Sequence, residues 1–543
     1  MYVENLYKMK NYLISSLVVV LLICPIVKTY AQPIKAPMFG KDITINNDSN
    51  ADQRNVKVCV APNGWLYSCY WNHFENGFTC YIMKSTDNGI SWTKLANLDY
   101  PNTEKEIADL EILACGTDET NMKLFFGQVF IYFPSYSYQG VVIRINGNTG
   151  ELEDEILHDE SDVYDIALAS DYPYQVGNAN PFSLAVLYSR TRPTWYMTEL
   201  IYCASSDGGQ SFDHTQIISS SIEDRFFHVD LSYAWSPTKN TGRYYGVWEV
   251  KNDFLDPTGH IYTAHTEPYY DSPFSQPVCL DSLLPELINN CKLPTIACQQ
   301  GETENVSSDI SQVVLCEFKS PQSGNCNVVG WYNKESTNST TFSPIALADT
   351  THYNCTPDIA YNNIDNTFMV TYFDSTSKQL PLITNDLNLT NPTNWNQISA
   401  GYNDSPDILY PNPCLKMNHS QGGGMNAWIM DKDGNGVALF DAVKSTYTST
   451  ENKPDALLPN SARAIPNPCN ASTLIRFESA NNGSGKLNIY SNTGQIVESN
   501  NQLSFTRGIN NHLLNTSHFA AGYYMVEIQL EECILEGKFM VIH

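Results

Sequence analysis

The sequence predicts an all-β protein, a β-propeller with seven blades favoured, followed by a small C-terminal β-sandwich. Charged residues make up only 16% of the chain, whereas turn-forming and aromatic residues are abundant, which is typical of turn-rich β proteins. Residues 54–443 repeat a unit of roughly 40 to 57 residues, built of short apolar runs separated by turn residues. A four-stranded blade cannot bury both faces alone, so such units stack into a closed ring.

Seven apolar runs have the pattern of innermost blade strands, and they begin near Val56, Ala108, Val163, Phe226, Lys292, Thr356 and Asn412. The last unit is one strand short. We expect residues 42–46, which read DITIN, to supply its outer strand and join the two ends of the ring. The propeller is therefore predicted over residues 41–445, and the polar, proline-containing segment 446–464 is predicted to be a linker.

Two segments share one turn motif: Ser85, Asp87, Gly89 and Trp92 in the first, and Ser205, Asp207, Gly209 and Phe212 in the second. The Ser and Asp side chains can bond turn amides, Gly permits a positive φ, and the aromatic residue can pack into the blade. The motif resembles the Asp box, or BNR repeat, of sialidase-like and other propellers. The resemblance implies a structural role on the face of the ring opposite the usual ligand site.

The first 31 residues have the pattern of a signal peptide. Lys10 is basic, residues 13–27 are apolar, and small residues precede Gln32. A membrane anchor is the alternative, but it needs a longer apolar run. No later segment is apolar enough to span a bilayer, so no membrane span is expected after cleavage.

The last residues, Ile465 to His543, contain IPNPCNASTLIRF, GKLNIYSNTGQIV, FAAGYYMVEIQ and GKFMVIH in this order. The set resembles the type A C-terminal sorting domain of the type IX secretion system. The resemblance implies a small β-sandwich that the secretion machinery recognises, and a protein that is secreted or attached to the outer surface of a Gram-negative cell. A carbohydrate-binding sandwich is the alternative.

Fifteen cysteines in an exported chain favour some disulfides. Short spacing suggests Cys69 with Cys80, Cys279 with Cys291, and Cys316 with Cys326. The alternative is that many cysteines are small buried residues, as the mid-strand positions of Cys59, Cys115 and Cys298 indicate. The sequence has no CxxC pair, so neither a metal site nor any other cofactor is predicted.

Ligand-binding candidates come from the loops that gather on one face of a propeller. The formal net charge of −27, without a basic cluster, argues against nucleic acid. Aromatic residues in the loops of blades one to four suit a glycan or a protein segment. The candidates are Arg54, Trp71, His73, Phe133, Tyr136, Tyr138, Trp195 and Tyr196. The alternative is that these aromatic residues only pack the loops together.

Charged residues near the predicted channel, among them Asp109, Asp165, Arg225 and His228, could perform acid and base chemistry. They could equally be solvated blade ends or structural pairs. The resemblance to sialidases suggests an exo-acting glycoside hydrolase or lyase, but the Arg-Ile-Pro motif is missing at the propeller's start and no Tyr/Glu nucleophile pair can be assigned. We therefore assign no catalytic residue and favour binding without turnover, with the hydrolase or lyase as the alternative.

Overall fold

The computed structural model divides the chain into two compact units, Met1–Tyr447 and Thr448–His543. It describes residues 42–46, 52–74, 76–101, 104–116, 120–171, 182–192, 196–236, 241–252, 256, 258–266, 271–283, 290–299, 310–320, 324–335, 342–347, 354–362, 367–385, 395–399, 403, 408–417, 424–432, 434–443, 462–465, 472–479, 481–491, 495–505, 508–530 and 534–541. The predicted signal peptide and most of the predicted linker lie outside these residues.

The first unit contains seven four-stranded antiparallel sheets, which are the predicted blades. Alternating runs and tight turns make neighbouring strands consecutive in the chain. Blades one to three consist of β2 (Asp52–Val60), β3 (Leu66–Phe74), β4 (Gly77–Ser85) and β5 (Thr93–Tyr100); β6 (Lys105–Cys115), β7 (Lys123–Tyr132), β8 (Ser137–Asn146) and β9 (Leu152–Asp159); and β10 (Val163–Ser170), β11 (Leu184–Arg192), β12 (Met197–Ser205) and β13 (His214–Ser221).

Blades four to seven follow the same order, and the last takes its outer strand from the N-terminal side of the chain. They consist of β14 (Arg225–Ser236), β15 (Thr241–Lys251), β16 (His260–His265) and β17 (Val278–Cys279), followed by the 3-10 helix η1 (Asp281–Leu283); β18 (Cys291–Cys298), β19 (Ile310–Lys319), β20 (Cys326–Glu335) and β21 (Ser343–Ala346); β22 (Asn354–Asn362), β23 (Thr367–Asp374), β24 (Leu382–Asn385) and β25 (Trp395–Ser399); and β26 (Ile408–Met417), β27 (Gly424–Lys432), β28 (Asn435–Val443) and β1 (Ile43–Thr44).

Strand β1 completes the seventh blade, as the sequence predicts. Ile43 pairs with Phe440 and Thr44 pairs with Leu439, and the Ile45 N–H donates to a β28 carbonyl at 3.0 Å. The inner strands β2, β6, β10, β14, β18, β22 and β26 contact one another in that order, and β26 also contacts β2. The ring is therefore closed.

One apolar cluster fills the space between each pair of neighbouring blades. Three of the largest buried side chains belong to these clusters: Trp248 between blades three and four, Trp331 between four and five, and Trp428 between six and seven. Burial of such faces against the next blade supplies the main favourable free energy of a propeller. The repeated apolar runs of the sequence thus become blade-to-blade interfaces.

The two segments predicted as Asp boxes form the same turn. Ser85 Oγ donates to Asp87 Oδ1 at 2.8 Å and accepts from the Gly89 N–H at 2.9 Å. In the second box, Ser205 Oγ and Asp207 Oδ1 are 2.7 Å apart, and the corresponding glycine N–H again lies 2.9 Å from the serine oxygen. Each box connects the third and fourth strands of its blade, and these bonds satisfy turn amides that the sheet leaves unpaired.

The three predicted disulfides are not formed in the structure, where none of the six cysteines is joined to another by a disulfide. Cys69 lies directly opposite Ile82, so Cys80 is its diagonal neighbour. Diagonal neighbours are ~7–8 Å apart, which is farther than the two residues of a normal disulfide. Cys326 lies directly opposite Lys319 on the neighbouring strand, so these two side chains share a face. Lys319 is three residues from Cys316, and side chains alternate between faces along a strand. The side chains of Cys316 and Cys326 therefore point to opposite faces of the sheet.

The third pair, Cys279 and Cys291, belongs to different blades. Cys279 pairs with Tyr262 in blade four, and Cys291 pairs with Phe318 in blade five. Cys291 is fully buried in an apolar cluster, whereas Cys279 is half-buried. Burial in apolar clusters is also the environment of Cys59 and Cys298.

The second unit is the predicted small β-sandwich. A three-stranded sheet holds β29 (Ala462–Ile465), β30 (Ser472–Ser479) and β33 (Gly508–Asn515); a four-stranded sheet, in the order β32-β31-β34-β35, holds β31 (Gly483–Ser491), β32 (Ile496–Phe505), β34 (Gly522–Gln529) and β35 (Ile534–Val541). Ile475, Leu487 and Val526 belong to its core. The predicted linker ends at residue 464, but strand β29 already begins at Ala462. All four residues of this strand pair with β30.

Candidate functional site

A β-bulge interrupts the inner strand of the blades at one equivalent place. In blades one, four, five and six the bulged residue has a positive φ: 52° at Asn55, 47° at His228, 52° at Leu293 and 45° at Thr356. Positive φ is uncommon outside glycine, and bulges change the direction of the side chains that follow. All four residues line a cavity of about 390 Å³ on the ring axis.

The residue that follows each bulge also faces this cavity. These residues form a ring around the axis, called here the channel ring: Lys57, Asp109, Asp165, Asp230, Thr295, Asp358 and Cys414. Because strand direction alternates within a blade, the cavity lies at the same end as the turns between second and third strands. The two predicted Asp boxes lie at the other end.

Three carboxylates of the channel ring connect each blade to the next. Asp165 accepts from the Val229 N–H at 3.1 Å. Asp230 accepts from the N–H of Ile296 at 2.8 Å, and Asp358 accepts from that of Leu415 at 2.7 Å. The second oxygen of each carboxylate accepts from the next residue of its own strand. These carboxylates therefore have a structural function, whatever else they contact.

The carboxyl groups of Asp109 and Asp165 are neighbours in the channel ring. Burial raises the pKa of Asp165 well above its usual value, and the neighbouring Asp109 raises this pKa further. Like charges repel at this separation, which favours the protonated form of Asp165. Glycosidase carboxyl pairs are separated by about 5 Å or more, so this contact does not match such a pair.

Two lysines partly balance the acidic ring. Lys57 Nζ lies 3.5 Å from Glu111 Oε2. Burial alone would lower the pKa of Lys416. The neighbouring Cys414, Asp358 and Glu111 have a larger combined effect and raise this pKa. Both ammonium groups therefore stay charged, and the channel is a polar site with charges of both signs.

The pKa of Asp230 leads to a pH prediction. Burial raises this pKa to about 6, against the opposing effects of Lys416 and the Ile296 amide. A carboxyl with a raised pKa contributes stability that is complete below its unfolded pKa of about 3.9 and is lost as the pH rises through the folded pKa. We expect the stability advantage of wild type over Asp230→Asn to decrease between pH 4 and pH 6. Urea unfolding of both proteins across this range measures it, and a constant difference would contradict the assignment.

An aromatic surface borders the cavity on the side of blades two to four. The ring centroids of Tyr138 and Tyr164 are 5.1 Å apart, those of Tyr164 and Phe227 are 5.6 Å apart, and His228 follows at 6.3 Å. All four side chains are partly exposed, and Tyr164 and His228 line the cavity itself. We call these four residues the aromatic arc.

The predicted ligand residues have different environments. Tyr136 and Tyr196 are 64% and 75% exposed, His73 is exposed, and Phe133 is half-buried against Tyr136 at a centroid distance of 5.4 Å. These residues lie at the cavity end of the ring, and Tyr138 is part of the aromatic arc. Trp195 lies outside the described residues.

Trp71 is a correction to the predicted surface. It is only 3% exposed and contacts Phe78 edge-on at 5.7 Å. Strand β3 continues through Trp71 to Phe74, so the residue is a core position and not a loop position. The Arg54 guanidinium lies 5.3 Å from its ring centroid and forms ion pairs with Asp52 and Glu106.

The four residues considered for catalysis do not form one group. Asp109 and Asp165 lie together in the channel ring, and His228 lines the same cavity. The His228 Nδ1 atom, however, is 2.6 Å from the buried Glu249. Arg225 donates to Thr198 and to two backbone carbonyls of its own loop, which is a structural arrangement.

The sequence does not predict Lys57, Glu111, Asp230 and Lys416 as channel residues, although all four line the cavity. A repeated dipeptide could have identified part of the ring, since an aspartate is followed by Leu or Ile in four inner strands, at Asp109, Asp165, Asp230 and Asp358. The aromatic arc was missed in part because Tyr164 and Phe227 lie on inner strands and not on loops.

Residues 463–542 match the family described as the secretion system C-terminal sorting domain. The predicted sorting domain is thereby confirmed, and the protein is secreted or attached to the outer cell surface. A search of the curated proteins found no match. Within the described part of the chain, no helix has the length and hydropathy needed to cross a membrane.

Several solved structures are similar in fold. An α-L-arabinofuranosidase of Fusarium graminearum with an iminosugar inhibitor has a TM-score of 0.41 and 10% identity over 74% of this chain and 97% of its own. PorZ, a surface component of the type IX secretion system of Porphyromonas gingivalis, has a TM-score of 0.26 and 10% identity over 90% and 81%. An exo-β-1,3-galactanase of Phanerochaete chrysosporium has a TM-score of 0.32 and 8% identity over 90% and 96%. At these TM-scores no activity can be transferred to this chain.

Proposed function

We propose that the propeller is a glycan-binding module that acts outside the cell and binds the end or a side branch of a polysaccharide at the channel mouth. The observation that carries the proposal is the aromatic arc beside the polar cavity. Partly exposed aromatic rings offer flat apolar faces to sugar rings, and the nearby carboxylates and ammonium groups can bond hydroxyls. A site of this type combines apolar walls with a few placed polar groups.

The dimensions of the site favour a chain end over the middle of a long polymer. The cavity of about 390 Å³ falls in the range of small-molecule pockets. It lies on the ring axis, where inner strands from all seven blades surround it. A terminal sugar can enter there, while the preceding sugars lie on the aromatic arc and near exposed residues such as Tyr136 and Tyr196.

Binding without turnover is favoured over hydrolysis because of how the carboxylates are used. Asp165, Asp230 and Asp358 are occupied by backbone amides of the following blades, and Asp165 is also in contact with Asp109. A general acid or nucleophile needs a free approach to the glycosidic oxygen or the anomeric carbon. The alternative hydrolase would use the same channel carboxylates, and the experiment below distinguishes the two.

The test is glycan-array binding followed by titration calorimetry with the best ligand. We expect Tyr164→Ala and Phe227→Ala each to weaken binding by about tenfold or more, which corresponds to ~1.4 kcal/mol. The matched control is Ile90→Ala, because Ile90 is 58% exposed in the Asp box at the opposite end of the ring. Melting temperatures of all variants exclude unfolding as the cause.

Two results would contradict the proposal. Unchanged affinity in both arc variants would place the ligand elsewhere. Product formation in a hydrolysis screen of the wild type, abolished by Asp109→Asn in a folded protein, would instead establish the glycoside hydrolase or lyase.

A further inference from the structure

We propose that His260, Cys279 and Asp281 bind a zinc ion at the outer edge of blade four. The three ligand atoms lie within 4.8 Å of one another. His260 Nδ1 is 2.8 Å from Asp281 Oδ2, Cys279 Sγ is 3.2 Å from Asp281 Oδ1, and Cys279 Sγ is 3.9 Å from His260 Nδ1. This site is separate from the channel and does not depend on the proposed glycan binding.

The fold holds these side chains in place. His260 begins strand β16, Cys279 ends strand β17, and Asp281 begins the helix η1. Asp281 is fully buried, and its Oδ1 atom accepts from the Ile261 N–H at 3.1 Å. Leu280, between the two ligands, is buried and bonds to the carbonyl of Ile261. A backbone hydrogen bond thus orients the carboxylate, as second-layer contacts do in known metal sites.

The distances and the ligand chemistry fit Zn²⁺. Ligand bonds of about 2.0–2.3 Å in a tetrahedron place the ligand atoms roughly 3.3–3.8 Å apart, and the 3.9 Å between Cys279 Sγ and His260 Nδ1 is close to this range. Each of these two residues lies near a different oxygen of Asp281, His260 near Oδ2 and Cys279 near Oδ1, so one oxygen has to turn toward the ion for the carboxylate to bind it. One thiolate and one carboxylate balance the two charges of the ion, and the imidazole binds as a neutral ligand. Sulfur and nitrogen ligands favour zinc over calcium or magnesium. With three protein ligands, water would complete the tetrahedron.

The blade supplies a structural reason for such an ion. The outer strands of blades one to three each have 8 residues, whereas β17 has 2. Tyr262 pairs with Cys279 and Thr263 pairs with Val278 to join it to β16. A metal that links His260 on one strand to Cys279 on the other would fix this short edge. Binding should therefore raise the thermal stability of the protein.

The test uses the purified full-length protein after removal of metals by a chelator. We expect one equivalent of Zn²⁺ to bind and to raise Tm, and Co²⁺ to give a thiolate charge-transfer absorbance. Cys279→Ser and His260→Gln should each weaken Zn²⁺ binding at least 100-fold and abolish the rise in Tm. The control is Cys326→Ser, which removes another half-buried thiol, belongs to blade five and should leave Zn²⁺ binding unchanged.

A second measurement needs no variant. Zn²⁺ should slow maleimide modification of Cys279 in the wild type, as peptide mass spectrometry would show, and a chelator should restore it. The proposal is overturned if the wild type binds no Zn²⁺, if both ligand variants bind it as the wild type does, or if Zn²⁺ leaves the modification rate of Cys279 unchanged.

Discussion

Deletion of residues 42–46 is expected to lower the free energy of unfolding of the propeller by about 4 kcal/mol or more. The segment provides strand β1, and its Ile45 side chain is 1% exposed in the cluster between blades seven and one. Asn46 also bonds to the Tyr70 hydroxyl of blade one at 2.5 Å. The deletion thus removes contacts to both blades at the closure, and it exposes the edge of β28.

The measurement is urea unfolding together with the melting temperature. Ile45→Ala should give a smaller loss of about 2–4 kcal/mol, and Ile90→Ala, at an exposed position, should change stability by less than about 0.5 kcal/mol. An unpaired edge strand also promotes association, so we expect the deletion variant to aggregate at lower temperature. Wild-type stability in the deletion variant would mean that β1 does not hold the ring closed.

The blades were predictable because their signal is local. Each inner strand is a short apolar run bounded by turn residues, and the strand count of the last unit required a partner such as the segment around Ile43. Packing of one blade on the next then follows from the apolar faces alone. No detail of side-chain contact was needed for this part of the structure.

The site was less predictable because it depends on register and on contacts between distant strands. The sequence predicts Trp71 on a loop because the end of β3 cannot be read from composition, and a shift of a few residues decides burial. Cys69 and Cys80 are close in sequence, but only the register reveals their diagonal offset. The proposed zinc ligands His260 and Cys279 are 19 residues apart, beyond any spacing motif in the sequence.

The channel carboxylates illustrate the same limit. The position of Asp109 and Asp165 near the axis was predictable from the inner-strand pattern. Their roles were not, because Asp165 bonds to Val229, 64 residues away in the next blade. A repeated aspartate can therefore indicate a conserved geometry of the ring as readily as a reactive group, and only the hydrogen bonds distinguish the two.

A single methyl group should be harmful at the glycines of the two predicted Asp boxes. Gly209 has a φ of +74°, and a Cβ atom there would lie 2.3 Å from Cε1 of Phe125, a side chain of the preceding blade. Phe125 is fully buried and cannot move without disturbing its cluster. Gly89 is in the same situation, since its Cβ would lie 2.1 Å from Cε1 of Phe440.

We therefore expect Gly209→Ala to lower the free energy of unfolding by about 2–5 kcal/mol, of which about 1–2 comes from the backbone conformation and the rest from overpacking. The control is Gly434→Ala. Gly434 has a similar φ of +88°, but nothing lies within 4 Å of a Cβ there, so this variant should lose only the conformational part. Urea unfolding of both variants measures the difference. Equal losses would show that the Asp-box glycine is required only for its backbone conformation and not for contact with the neighbouring blade.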